Sequence, residues 1–107
     1  MELSFKRGTY IEGKKNFHGE IILSEHKLFL RGPQGDWAQT YIPLEKIISI
    51  EKTHPGLKLE VTPTVTFRYT ALFTGERKQM GRLLKELVIR RGLKKVFLRN
   101  RWIDNSV

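Results

Sequence analysis

Side chains that could catalyse a reaction or hold a metal are few in this sequence and lie far apart. The three histidines, His18, His26 and His54, fall in separate turn-like segments and share no metal-ligand spacing. The chain has no cysteine, so neither a disulfide framework nor a thiolate metal site is available. No serine, histidine and acidic residue together form a recognisable nucleophile motif. We therefore predict a protein that is not an enzyme and that uses no metal, cofactor or small-molecule substrate.

One segment begins like a phosphate-binding loop and then departs from that pattern. Residues 8–15, GTYIEGKK, have the G-x-x-x-x-G-K spacing, but Lys15 stands where the magnesium-binding Ser or Thr is required. The segment also leads into a predicted strand, whereas such loops hold phosphate at the N-terminus of a helix. A nucleotide-binding loop is therefore excluded.

The net charge of +9 is concentrated in the last third of the chain. Residues 1–75 contain 10 Lys and Arg against 8 Asp and Glu, a balance of +2, and residues 76–107 contain 10 against 3, a balance of +7. A local excess of positive charge attracts acidic protein surfaces, anionic lipid or nucleic acid. A solvated basic helix that only keeps the protein soluble would explain the same charge.

Three groups of basic residues are candidates for contact with an anionic partner. The first lies in the loop after the first predicted strand, and the second follows helical spacing, for which a solvated outer face is the stronger interpretation. In the third, cations alternate with aromatic residues, as in segments that bind membrane interfaces or nucleic acid. The alternative for this third group is that Val96, Phe97 and Trp102 pack onto the domain or onto a second copy of the chain. The candidates are Lys14 and Lys15; Lys78, Arg82 and Lys85; and Lys94, Lys95, Arg99, Arg101 and Trp102.

The apolar residues that must position these side chains recur with the period of strands and then with that of a helix. Short hydrophobic runs separated by Gly, Pro, Asn and Asp predict an antiparallel meander. The predicted strands are residues 3–12, 19–23, 28–30, 37–42, 47–50, 57–61 and 65–73, with a loop at residues 13–16. Positions 80, 83, 84, 87 and 88 then form the apolar stripe of an α-helix, with Thr74 as N-cap and Gly92 as stop.

The last residues are separated from this domain by Gly92. We assign residues 1–92 to one domain and residues 93–107 to a basic aromatic tail, for which a continued helix, an added strand and a mobile segment all stay open. No run approaches the roughly 18 apolar residues of a membrane span, and the first residues lack the apolar core of a signal peptide. We expect a cytoplasmic protein, with peripheral attachment to a membrane as the alternative.

Two segments carry a resemblance to a known family. Residues 19–24, GEIILS, followed by residues 26–30, HKLFL, resemble the hairpin of GRAM-type and bacterial PH-like domains, and residues 42–50, IPLEKIISI, look like the I-P-L-x-x-I segment that follows it. Seven antiparallel strands followed by one helix is the architecture of the pleckstrin-homology-like superfamily. The resemblance, over residues 3–92, implies a mainly β (α+β) fold, namely a seven-stranded antiparallel barrel or sandwich capped by one C-terminal α-helix.

The function that this resemblance implies is binding without chemistry. We expect a PH/GRAM-like module that binds a protein partner or an anionic membrane surface. The alternative is a nucleic-acid-associated protein that uses the C-terminal helix and tail. Phosphoinositide-binding members carry a basic motif from the first loop into the second strand, but here Phe17, His18 and Glu20 follow Lys14 and Lys15. Specific recognition of an inositol phosphate is therefore not expected.

Overall fold

Nine strands and one α-helix make up residues 1–104, which are the residues that the computed structural model describes. A short 3₁₀ turn, Leu44–Lys46, links the fourth strand to the fifth. The elements are β1 (Leu3–Glu12), β2 (Lys15–Leu23), β3 (Lys27–Gly32), β4 (Gly35–Pro43), β5 (Ile47–Lys52), β6 (Gly56–Val61), β7 (Tyr69–Thr74), α1 (Arg77–Arg91), β8 (Lys94–Lys95) and β9 (Arg101–Ile103).

All nine strands belong to one antiparallel sheet in the order β4-β3-β2-β1-β7-β6-β5-β9-β8. The mainly β fold, with seven strands followed by a C-terminal helix, is confirmed. The alternative of a closed barrel is wrong. Strand β9 pairs with the edge of β5 through Ile50 and Trp102, so β5 does not meet β4, and the sheet stays open.

The hairpin of β1 and β2 is longer than the sequence predicts. Pairing continues to Ile11 with Asn16 and Glu12 with Lys15. The predicted four-residue loop thus becomes a two-residue turn at Gly13 and Lys14, where Gly13 has φ 59°. Glycine adopts this left-handed conformation without a steric penalty, and it therefore permits the tight connection.

Strand β7 begins later than predicted, at Tyr69 rather than at residue 65. Pairing with β6 stops at Val61 opposite Tyr69. Before that point the side chains of Val65 and Phe67 are exposed, and the Thr64 hydroxyl accepts the N–H of Phe67 at 3.1 Å. The strand predicted from the alternation of apolar residues is therefore too long, because no partner strand pairs with residues 62–68.

Helix α1 begins after Glu76, not after Thr74. Thr74 is extended because it belongs to β7 and pairs with Thr9 and Gly56. The predicted stop is confirmed, since Gly92 has a left-handed backbone with φ 75° and its N–H donates to the Val88 carbonyl. The apolar stripe is confirmed too. Its buried members are Met80, Leu83, Leu84 and Leu87, and Val88 is partly buried against the core.

The core fills the space that the curved sheet and α1 enclose. At its centre the rings of Tyr10 and Phe73 meet edge to face, with their centroids 5.2 Å apart. Burial raises the pKa of the Tyr10 hydroxyl, and its hydrogen bond to the Glu12 carboxylate raises it further. Gly56 lies so close to the neighbouring strand that an added Cβ would stand 2.0 Å from the Phe73 carbonyl oxygen. The sheet therefore requires glycine at this position.

We predict that Gly56→Ala lowers the free energy of unfolding by roughly 1–3 kcal/mol, because its methyl group must displace the backbone of β7. The matched control is Gly81→Ala in α1, where no atom lies within 4 Å of the added Cβ. That change should raise stability by about 1 kcal/mol, the usual gain from replacing a helical glycine. Urea unfolding followed by circular dichroism measures both, and equal stability of the two variants would contradict the packing described for Gly56.

Candidate functional site

Residues 94–103, which we call the C-terminal hairpin, turn back along the edge of the sheet. Lys95 pairs with Trp102, and the Val96 N–H donates to the Arg101 carbonyl at 2.8 Å. Of the alternatives left open for the tail, the structure shows added strands at residues 94–95 and 101–103, while residues 105–107 lie outside the described part.

The base of this hairpin is fastened to the domain by packing and by charge. Trp102 is half-buried against the core, so packing is the better interpretation for this aromatic residue. Arg91, at the end of α1, donates from Nε to the Ile47 carbonyl at 2.9 Å and from Nη2 to Asp104 Oδ2 at 2.7 Å. These contacts join the helix, β5 and the residue after β9, and they fix the direction in which the hairpin points.

Phe97 and Leu98 form the apolar tip of the hairpin, and each side chain is 85% exposed. Leu98 has φ 61° and is, with Arg7, one of two non-glycine residues with positive φ among residues 1–104. A left-handed backbone costs a residue with a branched side chain about 1–2 kcal/mol. The hairpin thus holds an exposed leucine at a turn position where glycine or asparagine would be less strained.

Positively charged residues flank the apolar tip on both sides along the chain. Lys94, Lys95 and Arg99 are exposed and form no ion pair within residues 1–104, although the Lys95 ammonium lies 5.9 Å from the centre of the Trp102 ring. Arg101 is partly neutralised, because its Nη2 lies 3.3 Å from Glu60 Oε1. No acidic residue occurs between positions 94 and 103. The structure therefore places the third predicted group in one hairpin, whose tip has two exposed apolar side chains.

The first predicted group, Lys14 and Lys15, lies elsewhere on the sheet. Its turn follows β1, whose end lies beside the start of β7. The C-terminal hairpin extends past Lys52, at the end of β5, which lies beside the start of β6. Strands β6 and β7 are antiparallel, so their starts lie at opposite ends of the sheet. The two sites are therefore at opposite ends of the strands and four strands apart. Lys15 also has a partner, since its ammonium lies 3.9 Å from Glu12 Oε2.

The second group, Lys78, Arg82 and Lys85, lies on the solvent-facing side of α1. All three side chains are exposed and have no hydrogen bond or ion pair within the described part of the chain. Arg90, near the end of the same helix, is instead structural, because its Nη1 donates to the Met1 and Ser24 carbonyls at 2.9 and 3.0 Å. The helix thus combines free cations on its outer face with arginines that anchor its C-terminal end.

The side chains of a further charged cluster, on β3 and β4, contact one another. The Lys27 ammonium lies 4.2 Å from the centre of the Tyr41 ring, and Arg31 Nε donates to Asp36 Oδ1 at 2.8 Å. The Tyr41 hydroxyl also donates to Asp36 Oδ2 at 3.0 Å. The hydrogen bond from Arg31 holds the pKa of the Asp36 carboxyl below its usual value. Asp36 neutralises Arg31, so Lys27 is the one uncompensated charge of this cluster, fewer than the three of Lys94, Lys95 and Arg99 in the C-terminal hairpin.

A groove of about 590 Å³ separates the turn between β5 and β6 from the start of α1. Lys52, His54 and Arg77 line it together with Gly81, and Asn100 of the C-terminal hairpin forms part of its wall. The Lys52 N–H donates to the Asn100 carbonyl at 2.8 Å, which joins groove and hairpin. No sequence motif marks these residues, because they are distant along the chain and only the pairing of β9 with β5 brings Asn100 to Lys52.

Neither a metal-binding cluster nor a helix suited to cross a membrane occurs in residues 1–104. No group of three or more His, Asp or Glu side chains there is placed to hold a metal ion. No helix in that range combines the length and the apolar character that crossing a bilayer requires.

Comparisons with protein-family models, with curated proteins and with solved structures give no match to this chain. The function must therefore be argued from the geometry of the hairpin and the groove.

We predict that Arg91→Ala destabilises the protein by roughly 1–3 kcal/mol, because it leaves the Ile47 carbonyl and the Asp104 carboxylate without this donor in a mostly buried position. Arg82→Ala is the matched control, since it removes the same side chain from an exposed position of the same helix and should change stability by less than about 0.5 kcal/mol. Thermal unfolding measures both variants. If the two were equally stable, Arg91 would not anchor the hairpin.

Proposed function

We propose that this protein is a non-enzymatic PH/GRAM-like module that binds an anionic membrane surface through its C-terminal hairpin. The observation that carries the proposal is the exposed apolar tip, Phe97 and Leu98, in a hairpin segment that has four cationic residues and no carboxylate. Each half of this arrangement has a separate physical role at a bilayer.

The apolar tip would supply the hydrophobic part of the binding energy. Full burial of a Phe or Leu side chain contributes about 1.5–3 kcal/mol, and insertion into the boundary between headgroups and acyl chains buries such side chains without a preformed pocket. A protruding pair of residues suits this soft environment. A protein partner would instead need a matching cavity. The strained backbone of Leu98 supports the same interpretation, because strain kept at an exposed position is typical of functional sites.

The surrounding cations would supply the electrostatic part. Near an anionic surface each Lys or Arg contributes about 1 kcal/mol, and the attraction decays within a Debye length of roughly 8–10 Å. Lys94, Lys95 and Arg99 are close to the tip in the chain, and their side chains are exposed and form no ion pair within residues 1–104. Insertion of the tip would bring them to the level of the lipid phosphates, so the two contributions would act together.

The arrangement of strands supports the PH-like part of the proposal. The seven strands before α1 lie side by side in the order β4-β3-β2-β1-β7-β6-β5. Strands β1 and β7, the first and the last of the seven along the chain, pair with each other. A helix follows directly, as the sequence resemblance implies. The proposed membrane surface lies on the strands added after that helix and not on the first loop, where Lys14 and Lys15 lie.

Flotation with lipid vesicles tests the proposed function. Wild-type protein is mixed with vesicles of phosphatidylcholine alone or of phosphatidylcholine with phosphatidylserine, at low and near-physiological salt. Point variants are preferable to a chain cut after Gly92, because that cut would remove β9 from the edge of β5 and Asp104 from Arg91. We expect binding to the anionic vesicles only, and weaker binding as the salt concentration rises.

We predict that the double variant Phe97→Ser, Leu98→Ser loses this binding, because it removes about 3 kcal/mol of apolar burial, on the order of a hundredfold in the partition coefficient. The control is Val65→Ser, which removes an equally accessible apolar side chain at the other end of the strands. Equal binding by both variants would contradict insertion of the tip. Binding of nucleic acid with a steep salt dependence, and none to vesicles, would favour the alternative derived from charge.

A single substitution at the tip should change stability and binding in opposite directions. Leu98→Asn relieves the left-handed backbone and should raise stability by about 1 kcal/mol, whereas loss of the apolar side chain should weaken vesicle binding about tenfold or more. Thermal unfolding and flotation of the same sample provide both measurements. A variant that is more stable and binds equally well would show that Leu98 does not enter the bilayer.

A further inference from the structure

We propose that the groove beside the C-terminal hairpin binds the phosphomonoester headgroup of an anionic lipid, the chemistry that phosphatidic acid presents. This inference rests on the proposed function, which it deepens from a general attraction to anionic membranes to a preference for one headgroup. Three observations carry it, namely the charge of the groove, its open shape and its connection to the hairpin.

The charge of the groove is positive and uncompensated. Lys52, His54 and Arg77 line it, and within residues 1–104 none of their side chains has a hydrogen bond or an ion pair. Among the described residues that line the groove, none has a carboxylate. Lys52 and Arg77 are the cations, and low-dielectric walls concentrate their field within a concave site. A phosphomonoester carries about 1.5–2 negative charges near neutral pH and has three acceptor oxygens, so it can engage two cationic side chains at once.

The shape of the groove depends on a glycine that the fold does not otherwise need. Gly81 lies inside α1, where glycine costs about 1 kcal/mol relative to alanine. A Cβ built there meets no atom within 4 Å, whereas each of the other eight glycines has either a positive φ or an atom closer than 3 Å to such a Cβ. Gly81 therefore keeps space open along the groove wall. The volume, about 590 Å³, is within the range of pockets that bind small molecules.

The connection to the hairpin places the groove beside the proposed membrane contact. Asn100 contributes to the groove wall, and its carbonyl accepts the Lys52 N–H at 2.8 Å. Phe97 and Leu98 lie only a few residues before Asn100, in the same turn. When the tip enters the acyl boundary, the groove would therefore lie near the layer of headgroups. This location differs from the first loop, at the opposite end of the strands.

The first arm of the test compares two kinds of vesicle with equal measured surface potential, one containing phosphatidic acid and the other phosphatidylserine. Wild-type protein should bind the former several-fold more tightly, on the order of tenfold if two cations engage the extra charge. Lys52→Gln with Arg77→Gln should abolish the preference. Arg82→Gln with Lys85→Gln removes the same charge from the outer face of α1 and should retain it.

A variant that changes the shape of the groove but not its charge distinguishes binding in the groove from general electrostatic attraction to the membrane. Gly81→Leu fills the groove, meets no backbone at its Cβ and should leave the fold intact, which thermal unfolding verifies. It should lose the preference for phosphatidic acid but still bind phosphatidylserine vesicles through the tip. Gly81→Ala, which adds only a methyl group, is its control and should retain most of the preference.

The second arm needs no membrane and uses glycerol 3-phosphate as the soluble probe. In ¹H–¹⁵N correlation spectra, titration should shift the amide signals of Gly56 and Gly75 in the wild type and should leave both signals unchanged in Gly81→Leu. Equal affinity for the two vesicle types overturns the inference. If the amides shift without such a preference, the groove is a site for soluble phosphate and not for lipid. In either case, the proposed function would still be supported if the variant Phe97→Ser, Leu98→Ser no longer binds phosphatidylserine vesicles.

Discussion

The pairing of β9 with the edge of β5 is the interaction on which the candidate site depends. Three residue pairs form it, from Ser49 with Ile103 to Glu51 with Arg101. An unpaired strand edge is prone to associate with other chains, and this short strand covers it. The same pairing keeps the sheet open, directs the apolar tip away from the domain and brings Asn100 to Lys52. Because the pair is short, Trp102 and the ion pair of Arg91 with Asp104 must stabilise it from the side.

The excess positive charge of the last third of the chain has two separate roles. Arg90 and Arg91 are mostly buried and donate to backbone carbonyls, so their charge holds the end of α1 against the sheet. The cations of the C-terminal hairpin and the outer face of α1 remain in solvent, apart from Arg101 with its partner Glu60. Net charge therefore overstates what is available to a partner. The geometry of the anchors decides which cations remain accessible to a partner.

Two locally unfavourable features occur near the same edge of the sheet. Leu98 has a left-handed backbone and an exposed apolar side chain, and Gly81 weakens the middle of a helix without serving its packing. Most other choices along the chain agree with the fold, as with Gly56 under the Phe73 carbonyl and Gly92 at the end of α1. Sequences that fold well break local rules mainly at functional sites. Their closeness therefore favours one functional surface formed by hairpin and groove.

The sequence by itself determined the seven strands, the helix and the end of that helix at Gly92, because alternating burial, the helical stripe and a left-handed glycine are local properties that repeat over many residues. It also identified Lys94, Lys95, Arg99 and Arg101 as a basic segment with aromatic neighbours. Strands of two or three residues have no detectable period, so only the tertiary structure placed β8 and β9. Long-range pairing then buried one side of Trp102, left Phe97 and Leu98 in solvent, excluded a closed barrel and assembled the groove from residues that are far apart in the chain.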